Sequence, residues 1–484
     1  MGRGSYVVHN AFFDCGGPWG IIQTVLAAYI EERTGRPFHT FFDSLSGASI
    51  GGVNAIVLGL GIPARILGHA EYACSIDLFK DASETIVRNQ IVNRKLGVSL
   101  LKDHHDHMQL YYTLAPHFRD QVMNDIKPSI LVAAHNMEHK RNFWFGRMDG
   151  DTFDEKALKY PLINGTTPLL DAAMATTCIP GVFRPWEFNG AHYRDFGPAI
   201  SAGKAHKELD SALQAKRAEL IRARRGQPMN RRDALRLGFG RSSSNGPRTL
   251  ENADGAVMRT LFVGTGDLTG LPYTKAVQNN AGFLGAVNDG EYSMLHMVKQ
   301  NAQQEERADM ERYFDAQTMR ATGMPAITRI NKSLVWDKSD PMQRETFPSL
   351  TQMDCTPGNL QKVFYFAGLN VEQHMTTIAA VLQEITINQL AQGKIDQPEY
   401  DRMSAICMAI AKESPWRILE ERNILVTAHN GPGIYEKHRA HLVDPHKVIG
   451  EDARFGMVGR MAGSVAHGAA HMVSHLWKKP VAVP

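Results

Sequence analysis

Residues Phe42–Asn54 read FDSLSGASIGGVN, and their centre, Gly47-Ala48-Ser49-Ile50-Gly51, is a G-x-S-x-G pattern. The physics behind it is steric. A serine on a sharp strand-to-helix turn holds a strained backbone and lifts its Oγ above the sheet edge. Positions two before and two after that serine approach each other across the turn, so both must lack a Cβ. Gly47 and Gly51 meet that requirement. The flanks meet the rest of it. Residues 41–46 are short and apolar enough for a buried strand, and Ile50–Leu60 (IGGVNAIVLGL) for a buried helix. The N-terminus of that helix would face Ser49, where free N–H groups and the dipole favour developing negative charge. A glycine-rich turn with an incidental serine uses the same letters, and the pentapeptide alone does not separate the two.

The surrounding chain narrows the choice. At 484 residues it is long enough for one large α/β domain and a second unit. Its 43% hydrophobic and 21% charged content is that of a folded soluble protein, and a net charge of +3 is too balanced to imply nucleic acid. The five cysteines, Cys15, Cys74, Cys178, Cys355 and Cys407, are scattered with no C-x-x-C pair. They read as reduced thiols, with neither a disulfide framework nor a zinc site. The first residues, MGRGSYVVHNAFFD, contain no secretory h-region, and no run of eighteen apolar residues occurs. The expectation is a cytoplasmic protein; export by a route other than Sec fits the same observation.

Upstream of Ser49, residues 6–13 form an apolar run expected to be the first strand. Asp14-Cys15-Gly16-Gly17-Pro18-Trp19-Gly20 follows as a glycine-rich turn, then residues 21–33 as a helix closed by Gly35 and Pro37. The dinucleotide fingerprint G-x-G-x-x-G is absent there, and no acidic residue ends a second strand about 20 positions on. The other use of such a turn is an oxyanion hole, in which the N–H groups of Gly16 and Gly17 face a bound carbonyl oxygen. An ordinary tight turn has the same composition. In a parallel sheet, however, two such turns about 30 residues apart open at the same carboxyl edge, where active sites collect. Further on, residues 130–134 and 142–145 read as strands, residues 169–177 as a helix, and residues 188–198 as a hairpin-like strand whose turn carries Asp195. A carboxylate before a glycine is commonly a turn residue; here it is also the candidate base for Ser49.

With these residues in place, the sequence resembles the patatin-like phospholipase family, of the bacterial type. Asp14–Gly20 is similar to that family's D-G-G-G-x-R-G loop, Gly47–Gly52 to its G-x-S-x-G motif, and Asp195-Phe196-Gly197 to its D-G-G or D-G-A aspartate. LLDAAMATTCIPGVFRPWEF (169–188) and LFVGTG (261–266) are similar to further family stretches. The likeness covers roughly residues 5–370, which places an acyl hydrolase domain at 5–375, with a basic insertion at 204–248, and a helical C-terminal extension at 376–484. It implies an α/β fold, a three-layer sandwich around a central, mostly parallel sheet.

The resemblance also implies a Ser–Asp dyad of Ser49 and Asp195, an oxyanion hole from Gly16, Gly17 and Ile50, and a phospholipase A or lysophospholipase type of activity. Phospholipid or another acyl lipid is then the substrate, with no cofactor and no metal. Cys15, Trp19 and Phe196 depart from the motifs; tryptophan lacks the charge and fork of the loop arginine. The alternative within the fold is a catalytically weak binding or regulatory protein. The rival hydrolase plan, a Ser-acid-His triad, would need a histidine, and His192 is nearest to Asp195 in the chain.

Three other features invite a reading. Residues 204–248 carry twelve Lys or Arg against four Asp or Glu, which suits either peripheral docking on anionic headgroups or a solvated surface. Aromatic interleaving is too sparse there for nucleic acid. Residues 102–107 (KDHHDH) hold metal-ligand types, but adjacent side chains diverge, so a solvated loop is the simpler reading. In the expected last helix, residues 453–477, His467, His471 and His475 fall at i, i+4 and i+8; a polar face accounts for them as well as a metal would. The sequence leaves the oligomeric state open.

Overall fold

The computed structural model describes residues 5–76, 108–226, 247–267, 325–335 and 355–425, with single-residue and short gaps, together with 303–304, 339 and 346–348. The KDHHDH run, the stretch at 453–477 with its three histidines, Phe196 and Pro198 lie outside the described residues.

The apolar run at the start is strand β1 (Tyr6–Phe13), followed after the glycine turn by helix α1 (Ile21–Thr34), which stops where Gly35 takes φ 68°. A 3-10 turn over Phe38–Phe41 then precedes β2 (Ser44–Ala48). The strand expected at 41–46 is thus displaced toward Ser49. Pro37 opens the 3-10 turn, and Phe38 and Phe41 are buried by it rather than by the sheet. Helix α2 (Ile50–Leu60) begins one residue after the serine and ends at Gly61, φ 84°. A helical stretch over 64–76, here α3, and α4 (Met108–Phe118) follow. Next come β3 (Ser129–Asn136), β4 (Arg141–Arg147), β5 (Leu162–Ile163), α5 (Leu169–Thr177), β6 (Trp186–Phe188), β7 (Ala191–Arg194), α6 (Ala202–Gly226), β8 (Ala256–Val263) and β9 (Ile327–Ile330). Four helices close the described chain: α7 (Pro357–Gln373), α8 (Met375–Ala391), α9 (Gln397–Ile410) and α10 (Trp416–Glu421).

The strands form one sheet in the order β5-β4-β3-β2-β1-β8-β9, with β7 added to β3 and β6 to β7. The centre, β3 through β9, is parallel; β4 and β7 run antiparallel to β3. Period-two alternation divides the side chains between two layers. Ala11 and Phe13 of β1, Val132 and Ala134 of β3, and Leu261 and Val263 of β8 pack with α1, α2, α5 and α7–α10. Phe12, Leu131, Ala133 and Phe262 point the other way, into a core closed by α6. The result is the expected α/β architecture with a central, mostly parallel sheet and a helical C-terminal region.

Two features of the packing bear on the organisation of the chain. Residues 376–425 are not separate in packing from what precedes them. Ile378, Leu382, Ile385, Met403, Ile410 and Leu419 are buried in the same core as α1 and α2. On α8, Glu384 accepts two hydrogen bonds from Arg259 Nε (3.0 and 3.2 Å) and one from its Nη2 (3.0 Å), which ties the helix to the middle of β8. The described part of the basic segment is likewise a layer of the fold. Leu209, Ala212 and Leu213 of α6 are buried against the sheet, on the face opposite α2. Long cationic side chains on the outer face of a core-covering helix need no further partner.

Candidate functional site

The site forms where β1, β2 and β3 end. Ser49 follows directly on β2 and takes φ 57° and ψ −134°, a conformation that costs about 1–3 kcal/mol and persists only where its surroundings impose it. They do. A Cβ on Gly47 would overlap the carbonyl of Gly51, and one on Gly51 would overlap the carbonyl of Phe13. The Ser49 N–H donates to Thr176 Oγ1 (2.8 Å), whose hydroxyl donates to the Ala133 carbonyl at the end of β3 (2.7 Å). Gly47→Ala should therefore destabilise the protein by about 1–3 kcal/mol through overpacking and move Ser49. A shifted denaturant midpoint with lost Ser49 reactivity checks it; an unchanged midpoint contradicts it.

Asp195 arrives from β7, which pairs antiparallel with the end of β3 through His135 and Arg194. Its N–H donates to the Cys178 carbonyl (2.9 Å), and Gly197 N–H donates to its Oδ1 (2.6 Å). The Ser49 side chain lies beside the same carboxylate, close enough to favour its ionised form. Ser49 and Asp195, 146 positions apart, thus meet in a setting where they are 3% and 7% exposed. Burial raises the Asp195 carboxyl to about 6, with neighbouring Ser49 and the Gly197 N–H pulling the other way. Gly197 has its own reason to be glycine: a Cβ there would lie 2.5 Å from the Cys15 Cβ.

The first glycine turn lies beside this pair. Gly17 takes φ 52°, a value that favours glycine, and lines the same cavity as Ser49 and Ile50. The N–H groups of Gly16, Gly17 and Ile50 have no hydrogen-bond acceptor within the described protein. Gly16 stands behind the cavity wall, its α-carbon against Thr265. Cys15 keeps an ordinary φ, so its Cβ is accommodated. Trp19 is fully buried and packs on Gly266 at the end of β8: a core side chain has taken the place of the expected arginine.

Several residues that hold this geometry were not singled out in the sequence. Thr176 is one. Gln23 is another: its amide donates to the carbonyls of Asp14 (2.8 Å) and Val263 (2.9 Å), and it accepts from Asn54 Nδ2 (2.8 Å). Thr265 donates to the Cys15 carbonyl (2.7 Å). These bonds pin the glycine turn from inside. A Gln-Thr pair inside the apolar helix IIQTVLAAYI was the available signal, since buried polar side chains must be paired.

His192 sits elsewhere. It is exposed, with its ring 2.7 Å from Glu138. Among the described residues no histidine hydrogen-bonds Asp195, so the triad plan finds no support there. Nor does any group of three His, Cys, Asp or Glu among them fit a metal ion.

The cavity at Ser49 measures about 870 Å³, part of it open to solvent, and runs between α2, α3, α4 and α5. Val53, Val57, Ile62, Leu67, Leu110 and Phe183 make most of its wall apolar. Ile66, 47% exposed, stands at its edge. No helix among the described residues is long and apolar enough to cross a membrane.

Fold and site together define a class: an α/β protein that joins a strained serine to a buried carboxylate at the carboxyl edge of its sheet. Within that class, residues 12–245 match the model of the patatin-like phospholipase family. A protein described as a cGAMP-activated phospholipase from Pseudomonas aeruginosa (strain BWHPSA011 / Pa011) is 27% identical over 168 residues. That match covers 35% of this chain and 46% of the relative, so it spans about half of the relative's length. Among solved structures, VipD from Legionella pneumophila is similar over 96% of this chain and 86% of its own, at 10% identity and a TM-score of 0.25.

Proposed function

We propose that the protein is a lipid acyl hydrolase of the phospholipase A or lysophospholipase type, working through Ser49 and Asp195. The observation that carries this reading is the placement of a strained serine beside a buried carboxylate and an apolar cavity. Asp195 takes the proton from Ser49 Oγ as that oxygen attacks the ester carbonyl. The N–H groups of Gly17 and Ile50 receive the developing oxyanion, and Gly16 completes the turn that presents them. The alcohol leaves with a proton returned by Asp195, and an acyl group remains on Ser49. A water that gives its proton to Asp195 then attacks the acyl carbonyl, and the fatty acid is released as Asp195 returns that proton to Ser49 Oγ. The aliphatic wall receives the acyl chain, and the exposed Ile66 at the edge suits approach from a lipid surface.

The test is covalent labelling with a fluorophosphonate, read by mass spectrometry, beside turnover of phospholipid vesicles. Label on Ser49 with fatty-acid release, both lost in Ser49→Ala, is the expected result. An unlabelled Ser49 in a folded protein that releases no fatty acid would instead favour a binding or regulatory protein on this fold. Because the Pseudomonas relative is named as cGAMP-activated, turnover is to be measured with and without cyclic GMP–AMP.

A further inference from the structure

The cavity beside Ser49 has a direction, and α2 gives it. Ser49 caps this helix, and Ile50, Val53 and Val57 line the cavity. They stand at i, i+3 and i+7, one stripe on one face of α2. Opposite them, α3 starts just beyond the end of α2 and runs back toward Ser49. A Cβ on Gly20 would stand 2.5 Å from Ile50 Cγ1 and 3.1 Å from Glu71 Oε1, so Glu71, well into α3, lies level with the first turn of α2. Leu67, Ala70 and Cys74 of α3 line the facing wall. The space between the two helices is therefore a channel along the axis of α2, with Ser49 at one end. Its lining continues past Val57 to Ile62 and Ile66, and Ile66 is 47% exposed, so the far end reaches the surface.

The helix also supplies a scale. At a rise of about 1.5 Å per residue, Val53 stands about 6 Å and Val57 about 12 Å along the axis from Ser49. An extended chain of single bonds advances about 1.2 Å per bond, a third of the reach of an extended peptide residue. A straight acyl chain on Ser49 would then pass Val53 at about its fifth carbon and Val57 at about its tenth. At both points α2 presents a short side chain, and a phenylalanine there would project into the channel.

Resting on the reading of Ser49 as the nucleophile that accepts an acyl group, we propose that α2 is the ruler of an open-ended acyl channel. Val53 and Val57 are its specificity residues, and their small side chains admit acyl groups of about twelve carbons or more. Each methylene that leaves water for this apolar wall favours binding by about fourfold, so the channel selects long chains over short ones. Neither valine touches the reacting atoms.

The experiment exposes the protein to an equimolar mixture of butyl, octyl, dodecyl and hexadecyl fluorophosphonates in one detergent, and reads the adducts on Ser49 by mass spectrometry. Competition within one sample gives ratios of rate constants, which depend neither on the amount of folded protein nor on any lipid headgroup. Wild-type protein should favour dodecyl over butyl by about tenfold or more, and take hexadecyl at least as fast as octyl. Val57→Phe should lower dodecyl and hexadecyl against octyl by about tenfold, as overpacking a filled channel would, and keep the ratio of octyl to butyl. Val53→Phe should move the same break down to between butyl and octyl. Equal labelling across the wild-type series, or a preference for the shorter chains, overturns the proposal even if neither variant folds. So does a Val57→Phe profile that matches wild type, or a pair of variants whose breaks fall at the same length, since the chain then leaves Ser49 by another path. If no probe labels Ser49 in a folded wild-type protein that releases no fatty acid, the hydrolase reading falls and takes this inference with it; the other negative outcomes leave that reading standing.

Discussion

Asparagine in place of Asp195 is expected to lower ester turnover by about 10²–10⁴-fold, the usual worth of a positioned general base, in a protein that folds normally. The substitution is nearly isosteric. The Gly197 N–H can still donate to the side-chain oxygen, and the Asp195 main chain keeps its bond to Cys178. What changes is that an amide cannot take a proton from Ser49. In wild-type protein the same chemistry sets the acid limb of the pH profile. A base works only when ionised, and burial holds this carboxyl at about 6 rather than near its ordinary 3.8. Below about 6 each further pH unit should remove close to tenfold from kcat/KM; well above it, this group imposes no fall. Measuring kcat/KM against pH and thermal unfolding for both proteins checks the two halves together. A wild-type profile flat through that region, or an asparagine variant with near-normal turnover, would end the dyad reading.

How much of this was open to inspection in the chain depended on range. β1, α2 and α5 could be bounded to the residue because glycines or prolines stand at or near their ends and their interiors are mostly apolar. The turns that carry Ser49 and Asp195 were legible for a related reason: a Cβ on Gly47 or Gly51 would meet backbone, and one on Gly197 the Cys15 side chain. β2 was displaced because FHTFFDSLSGA contains two apolar runs, and only the tertiary burial of Phe38 and Phe41 in a 3-10 turn decides which one joins the sheet. Gln23, Thr176 and Thr265 escaped because their meaning lies in partners distant in the chain. Gln23 bonds a carbonyl 240 positions away. The packing of the helices after residue 375 was hidden on the same ground. The helical period after that point shows that one face is apolar, and it is silent on which sheet that face covers.

That covering face leads to the second large effect: a chain ending at His374 is expected not to fold. Deletion of α8 alone removes the buried side chains of Ile378, Val381, Leu382 and Ile385 from the core shared with α1 and α2. At about 1.5–3 kcal/mol for each fully buried aliphatic side chain, these four approach the 5–15 kcal/mol that holds a typical domain together. The deletion also strands Arg259, 3% exposed in the middle of the sheet, without its carboxylate. Removing one partner of a buried ion pair costs about 3–5 kcal/mol, because the remaining charge keeps its desolvation penalty. Glu384→Ala isolates that term in the full-length chain and should lower stability by this smaller amount while leaving Ser49 reactive. The pair has a pH signature as well. Burial alone would raise the Glu384 carboxyl, but Arg259 and His9 more than offset it and hold the group below its ordinary 4.5. A lowered carboxyl stabilises the folded state above the unfolded value and loses that contribution as pH falls through the folded one. Equilibrium unfolding of both proteins, at neutral pH and in acid, separates the outcomes. Wild-type protein should converge on Glu384→Ala in acid. A truncated chain that unfolds cooperatively with near wild-type stability would mean that the C-terminal helices sit on a core complete without them.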